Sequence, residues 1–201
     1  MPRIPARKAR MTGSMKMSGP AIGLETQRFK LRSLKPSDAS QRYINWIADE
    51  AVMTPLNMPV RTLTRPELAT YISAFDNRLR YLVGMFDKET DIHFGILQAD
   101  IAPQHALAKL SFLIGEKEYR GIGALRECAV ALITHLFEAR DIEKIAARVT
   151  VGNEPSRVNF EKMGFRNEGL MKGEIKSFQD GKRLDQHLFG MLKQEWAPPK
   201  A

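Results

Sequence analysis

The residues with most to offer chemically lie between Ala108 and Phe165. In order they are an apolar run A-K-L-S-F-L-I, a loop E-K-E-Y-R-G-I-G, a long amphipathic segment from about Gly123, a second apolar run I-A-A-R-V, and N-E-P-S leading to M-G-F. A glycine loop between a strand and a helix leaves several N–H groups unpaired at the positive end of the helix dipole, a donor row suited to phosphate oxygens. Taken alone, Gly121 and Gly123 need do no more than permit a tight turn. Asn153, Ser156 and the Gly164-Phe165 ending downstream move the balance toward a ligand site.

Spacing separates the possible phosphate loops. G-x-x-x-x-G-K-[ST] occurs nowhere, and a dinucleotide fingerprint would need a third glycine where Arg126 stands. What stays is R-x-x-G at Arg120 to Gly123, with N-x-x-S at Asn153 to Ser156. Asn153 precedes Glu154 and Pro155, the pattern of a helix N-cap, and Ser156 falls in the first turn, its hydroxyl capping backbone or turned to a ligand. His105 is the best-placed titratable candidate for a base, in a hairpin beside the central strand. Asp100, Glu116 and Glu118 read as a solvated face. Cys128 belongs to the stripe Leu125, Cys128, Ala129, Leu132, Ile133, Leu136 and Phe137, so it reads as a core residue rather than a nucleophile.

The elements that must hold these groups follow from periodicity. Arg28 to Ser33 alternates as a first strand, and Pro36-Ser37-Asp38 opens a helix with Tyr43, Ile44 and Ile47 inward. Thr64-Arg65-Pro66-Glu67 is a capping box, followed by Leu68, Tyr71, Ile72 and Phe75 on one face. Between these helices, T-P-L-N-M-P-V-R reads as a loop broken by two prolines. Tyr81 to Phe86, Ile92 to Gln98 and Leu107 to Ile114 read as consecutive antiparallel strands, Ile145 to Val151 as the next, and Asp180-Gly181 as the turn of a closing hairpin. The order is strand, two helices, three strands, helix, strand, helix, two strands: a mixed α/β sheet covered by helices.

Bulk properties narrow the class. At 201 residues, 43% hydrophobic and 27% charged, the chain suits one domain with a full core. It has no long apolar run or secretory pattern, so the expectation is a cytoplasmic protein with no membrane partner. Four scattered histidines (His93, His105, His135, His187) and one cysteine give no zinc spacing, and metal chemistry is not expected. Of the net charge of +8, Arg3, Arg7, Lys8, Arg10 and Lys16 supply +5 within the first twenty residues. Residues 1–22 are expected to be a disordered basic tail, 23–197 the folded domain and 198–201 a second tail. The tail lacks interleaved aromatics, so nucleic acid is not the expected partner. A start at Met11, Met15 or Met17 is an alternative account of it.

R-G-I-G before an amphipathic helix, N-E-P-S and Gly164-Phe165, together with R-F-K-L-R-S-L, N-W-I and F-Q-D-G-K-R-L-D, resemble the GNAT superfamily of acyl-CoA-dependent N-acetyltransferases, and within it the RimJ/RimL-like branch. The resemblance runs from about Arg28 to Trp196. It implies a mostly antiparallel central sheet with splayed central strands and acetyl-CoA in the cleft between the strands ending at Ile114 and Val151. Leu113 and Ile114 would meet the pantetheine through backbone; Arg120, Gly121, Ile122, Gly123, Ala124 and Leu125 would hold the pyrophosphate. Asn153, Ser156 and Phe160 would lie near the thioester. Arg120 itself is read either as a phosphate cation or as a solvated charge.

The chain departs from the resembled pattern twice. Leu125 stands where Gly or Ala is usual, which would crowd the pyrophosphate unless the side chain turns inward. Phe160 stands where many members carry a tyrosine acid, leaving Ser156 the first candidate acid and ordered water the alternative. The implied acceptor is a primary amine, either a protein N-terminus or the amino group of a nucleotide-linked sugar, whose diphosphate Arg61, Arg65, Arg78 and Arg80 would suit. The loop from Thr54 to Arg61 would border the acceptor pocket. Homodimers are common in the resembled family. A non-catalytic acyl-CoA-binding module is the competing reading, motivated by Leu125 and Phe160.

Overall fold

Alternating inward residues make the sheet, and a Phe29, Leu31 and Ser33 face begins it. The computed structural model describes residues 19–198. A short strand β1 (Gly23–Glu25) forms a hairpin with β2 (Phe29–Ser33). Two helical segments follow, α1 (Gln41–Ile47) and α2 (Glu50–Met53), then α3 (Arg65–Ser73). Three antiparallel strands come next: β3 (Arg80–Asp87), β4 (His93–Ala102) and β5 (Leu107–Ile114). The chain closes with α4 (Ala124–Ala139), β6 (Lys144–Thr150), α5 (Glu154–Lys162), β7 (Arg166–Lys176) and β8 (Arg183–Leu192). All eight strands of the described residues lie in one sheet of order β1-β2-β3-β4-β5-β6-β8-β7.

Both faces of the sheet are covered. On one, the α4 stripe from Leu125 to Phe137 packs on Phe29, Leu31, Tyr81, Val83 and Met85. On the other, Tyr43, Ile44, Trp46, Leu68 and Ile72 pack on Leu82, Phe86 and Ile96. β3 therefore buries residues of both parities, since each parity meets a different helical layer. Cys128 is fully buried in the α4 layer, and burial pushes its thiol well up, the behaviour of a core residue.

Several boundaries differ from the sequence reading. β1 and α2 are additional elements. Pro36–Asp38 is a separate 3-10 turn: Asp38 accepts from the Lys35 N–H at 2.7 Å and from both Arg32 terminal nitrogens at 2.7 Å, and α1 starts only after Ser40, whose hydroxyl accepts from the Tyr43 N–H at 3.2 Å. Trp46 is buried while Ile47 is only half-buried, and Tyr71 is exposed rather than inward. Thr54–Leu56, read as loop, makes a 3-10 turn. Residues 1–18 and 199–201 of the expected tails lie outside the described residues. Of residues 19–22, assigned to the tail, two are tied to the domain: the Gly19 N–H donates to Asp76 O at 2.7 Å, and Ile22 is buried with its N–H on Ser33 Oγ at 2.9 Å. Among the described residues no helix is long and apolar enough to cross a membrane.

The feature that makes a site is the one parallel junction. β5 and β6 pair only at Leu107↔Lys144, Ala108↔Ile145 and Lys109↔Ala146. Beyond that β5 stays with β4 as far as Ile114, and β6 stays with β8 as far as Thr150, so the sheet opens between them.

Candidate active site

Strand alternation decides which backbone groups line the opening. The Gly115 N–H donates to Phe94 O at 2.9 Å, and Ala106 O accepts from Glu143 and Lys144 on the other side. Even-numbered residues of β5 therefore direct N–H and C=O toward β6, and odd-numbered ones toward β4. Past Lys109 that edge has no β6 partner, leaving Phe112 and Ile114 facing a cleft of about 660 Å³. Leu113, expected to act through backbone, gives its main chain to β4 and lines the cleft by its buried side chain.

The loop at the mouth carries the donor row. Gly121 (φ 78°) and Gly123 (φ 79°) are left-handed, a conformation that strains residues bearing a Cβ. Among the described residues, the six amides from Gly121 to Arg126 have no protein acceptor; the first bond inward is Glu127 N–H to Gly123 O at 3.0 Å. They converge on the positive end of a 16-residue helix. Arg120 folds back, its Nη2 donating to Ile114 O at 3.1 Å and Gly115 O at 3.0 Å, so it fastens the loop to the strand end rather than standing free in solvent. Ile122 is half-exposed and its carbonyl accepts from Arg28 at 3.2 Å. Leu125 turns inward at 7% exposure, which leaves the loop uncrowded.

Glu127 locks this corner to the first hairpin. It accepts from the Thr26 hydroxyl at 2.7 Å, the Arg28 N–H at 2.9 Å and Arg28 Nε at 2.8 Å. Burial works to raise its carboxyl, but these donors outweigh it and hold the group below the usual carboxylate range.

A second cavity, of about 330 Å³, lies against the first, and both are lined by Leu56, Phe112, Leu113, Asn153 and Ser156. Asn153 caps α5, its Oδ1 accepting from the Ser156 N–H at 3.2 Å, while its Nδ2 donates to Pro55 O at 2.7 Å. Both ends of the amide are thereby engaged. The Ser156 hydroxyl has no partner among the described residues and is half-buried where the cavities meet. Phe160 is buried beneath, within 5.0 Å of the Phe112 ring and 5.7 Å of Phe189, and lines only the smaller cavity.

His105 is not brought to this junction. It lies exposed in the turn before β5, at the end where β5 and β6 are still paired, and lines neither cavity. The four arginines grouped by sequence are also dispersed. Only Arg61 lines the smaller cavity; Arg80 is paired with Asp100 at 3.4 Å and stacks over Phe75.

Sequence reasoning missed the supports. Trp46 donates from Nε1 to Glu116 Oε1 at 2.8 Å, and Arg42 meets the other oxygen at 2.9 Å, so Glu116 is tied to α1 and is not a free solvated charge. Tyr119 stacks on Phe94 at 4.3 Å and lines the larger cleft. Gln98, Arg148 and Gln186 line the smaller one. A glycine directly after the apolar run was the one local signal for Gly115.

The donor set fits acetyl-CoA: an anion-seeking amide row at one end and an unpaired strand edge along the cleft, with Arg126 and Lys162 on its walls. Comparison with known proteins agrees. The Acetyltransferase (GNAT) domain family matches residues 28–166. YdaF of Bacillus subtilis (strain 168), provisionally named a ribosomal N-acetyltransferase, is 33% identical over 84 residues, 42% of this chain and 45% of its own length, so the match spans under half of that protein. The uncharacterized N-acetyltransferase p20 of Bacillus licheniformis is 25% identical over 179 residues, 87% of this chain and 98% of its own. Among solved structures, the ribosomal L7/L12 alpha-N-protein acetyltransferase RimL superposes with a TM-score of 0.74 at 17% identity over 86% of this chain and 94% of that one. The spermidine N-acetyltransferase of Vibrio cholerae, in complex with CoA and spermine, gives 0.72 at 20% identity over 83% and 96%. The chain thus belongs to the GNAT family of acetyltransferases and is an N-acetyltransferase.

Proposed function

We propose that the chain moves an acetyl group directly from acetyl-CoA to a primary amine in a ternary complex. The observation that carries this is the sharing of Phe112, Leu113, Asn153 and Ser156 by two cavities, so that a ligand in one would meet a ligand in the other at one place. Acetyl-CoA supplies the activated acyl group as a thioester. The amides from Gly121 to Arg126 bind its diphosphate, and the free edge at Phe112 receives the pantetheine as an added strand would be received. Because Arg120 already occupies Ile114 O, Phe112 provides the larger share of that edge.

Ser156 donates the proton that the departing thiolate needs, its hydroxyl being uncommitted at the junction. Phe160 cannot serve, having no proton to give. A base is not required when the acceptor amine has a pKa near ~8, as an α-amine or amino sugar does, because enough is neutral at pH 7.5. A protein N-terminal α-amine and the amino group of a nucleotide-linked sugar both meet that condition.

Calorimetry with acetyl-CoA and thiol release with a panel of amines test the reading. Ser156→Ala should lower kcat by about a hundredfold or more while leaving acetyl-CoA affinity within a few-fold. Absence of acetyl-CoA binding sinks the proposal; an undiminished kcat in the variant removes Ser156 as the acid.

A further inference from the structure

We infer that the amine acceptor is a small molecule carrying an anionic group on an apolar body, and that Arg61 is the residue that reads the anion. This rests on the acetyl-transfer reading above. The smaller cavity is lined largely by apolar side chains; among the described residues its only charged lining residues are Arg61 and Arg148, and no Asp or Glu lines it. The two cations differ in availability. Arg148 is already matched by Glu174 at 2.9 Å. Arg61 is exposed and its side chain has no ion-pair or hydrogen-bond partner among the described residues, while its N–H is anchored on Ile47 O at 2.9 Å. The carboxylates beside lining residues are engaged elsewhere: Glu67 accepts from the Thr64 N–H, Glu154 and Glu161 pair with Arg157, Asp185 accepts from the Gly173 N–H at 2.7 Å, and Asp100 is engaged by Gln98 at 2.9 Å and Arg80 at 3.4 Å.

A polycation entering this space would leave water for arginines and apolar walls, a desolvation with no compensating charge. A carboxylate or phosphate would find a free planar guanidinium able to bond it bidentately. The wall that bears Arg61 is also held in place. Asn57 Nδ2 donates to Lys176 O at 2.9 Å, the Phe178 N–H donates back to Asn57 Oδ1 at 3.0 Å, and Gln179 Nε2 donates to Thr54 Oγ1 at 2.8 Å. The tip of the β7–β8 hairpin thus clasps the segment running into Arg61, which gives the guanidinium a fixed origin.

The test uses the full chain and matched amines: leucine against 3-methylbutylamine, O-phosphoethanolamine against ethanolamine, and spermidine. The anionic member of at least one pair should exceed its neutral mate about tenfold in kcat/KM, and Arg61→Gln should close that gap through KM. Which pair responds separates carboxylate from phosphate. A preference for spermidine or the neutral mates, or an Arg61→Gln effect equal on both members, overturns the inference. Binding of N-acetylleucine against N-acetyl-3-methylbutylamine, and of N-acetyl-O-phosphoethanolamine against N-acetylethanolamine, with coenzyme A present reads the same preference without turnover. Equal or absent binding within both pairs also overturns it. Loss of acetyl-CoA binding would instead sink the transfer reading; turnover without charge preference would sink this inference alone.

Discussion

The indole of Trp46 fills the space a side chain on Gly115 would need: a Cβ built there would stand 2.0 Å from Trp46 Cδ2. The strand end facing the cleft is thereby pressed on α1, and the adjoining Trp46–Glu116–Arg42 bonds fix the exit of the chain toward the amide row. A residue of α1 in this way sets the loop at the mouth of the larger cleft.

Gly115→Ala should therefore force the indole or the strand end to move. The expected loss is ~1–3 kcal/mol of stability, as for overpacking elsewhere, with a raised KM for acetyl-CoA. Urea unfolding and steady-state kinetics measure both. A variant with unchanged KM would show that the strand end does not depend on Trp46.

Asn153 joins two structures through one amide, so its two substitutions should separate. Asn153→Ala loses the cap and the Pro55 bond together and should cost ~1–3 kcal/mol. Asn153→Asp retains an acceptor for the Ser156 N–H but has no donor for Pro55 O. Most of α5 should then survive while the segment at Pro55 and Leu56, which lines the larger cleft and the junction of the two cavities, loosens, raising KM for acetyl-CoA and for the amine. Equal effects of Asp and Ala on stability would assign everything to the Pro55 bond.

His93 gives a pH signature. Burial among Tyr43, Trp46 and Phe86 pushes its imidazole down to about 4, outweighing the opposing bond to Gly95 and the nearby Asp38, and among the described residues its Nε2 has no hydrogen-bond partner. An unfolded chain takes up that proton below about 6.5, so the native state binds fewer protons and stability falls as pH drops from about 6.5 to about 4, by roughly 3 kcal/mol at full extent. Asp38 and Glu127, held low, lose their contributions only at more acid pH. Between pH 7 and 5, His93→Gln should lose less stability than the parent, the subtraction also removing the smaller effect of His135, which burial lowers in the same direction. Parallel urea curves across that window would refute the assignment.

Much of this was legible in local patterns. The Thr64–Glu67 capping box forms in both directions, with the Thr64 N–H on Glu67 Oε2 at 2.8 Å and the Glu67 N–H on Thr64 Oγ1 at 3.4 Å. Asn153 caps α5 and the α4 stripe is the buried face. Each of these depends on residues within a turn or two of one another. The helix expected at Pro36 failed because Asp38 had a stronger partner in Arg32 on the neighbouring strand, a competition that helix-start rules do not register.

By itself the sequence determined the order of elements, the glycine loop ahead of α4 and the family to which they belong, because hydrophobic period, caps and left-handed glycines act over a few residues. Tertiary structure alone decided that β5 and β6 part after three residue pairs, that Ser156 reaches the junction while His105 does not, and that of Arg61, Arg65, Arg78 and Arg80 only Arg61 lines the smaller cavity. Those outcomes depend on where distant strands stop pairing and which helical layer covers each face, and no short-range periodicity encodes either.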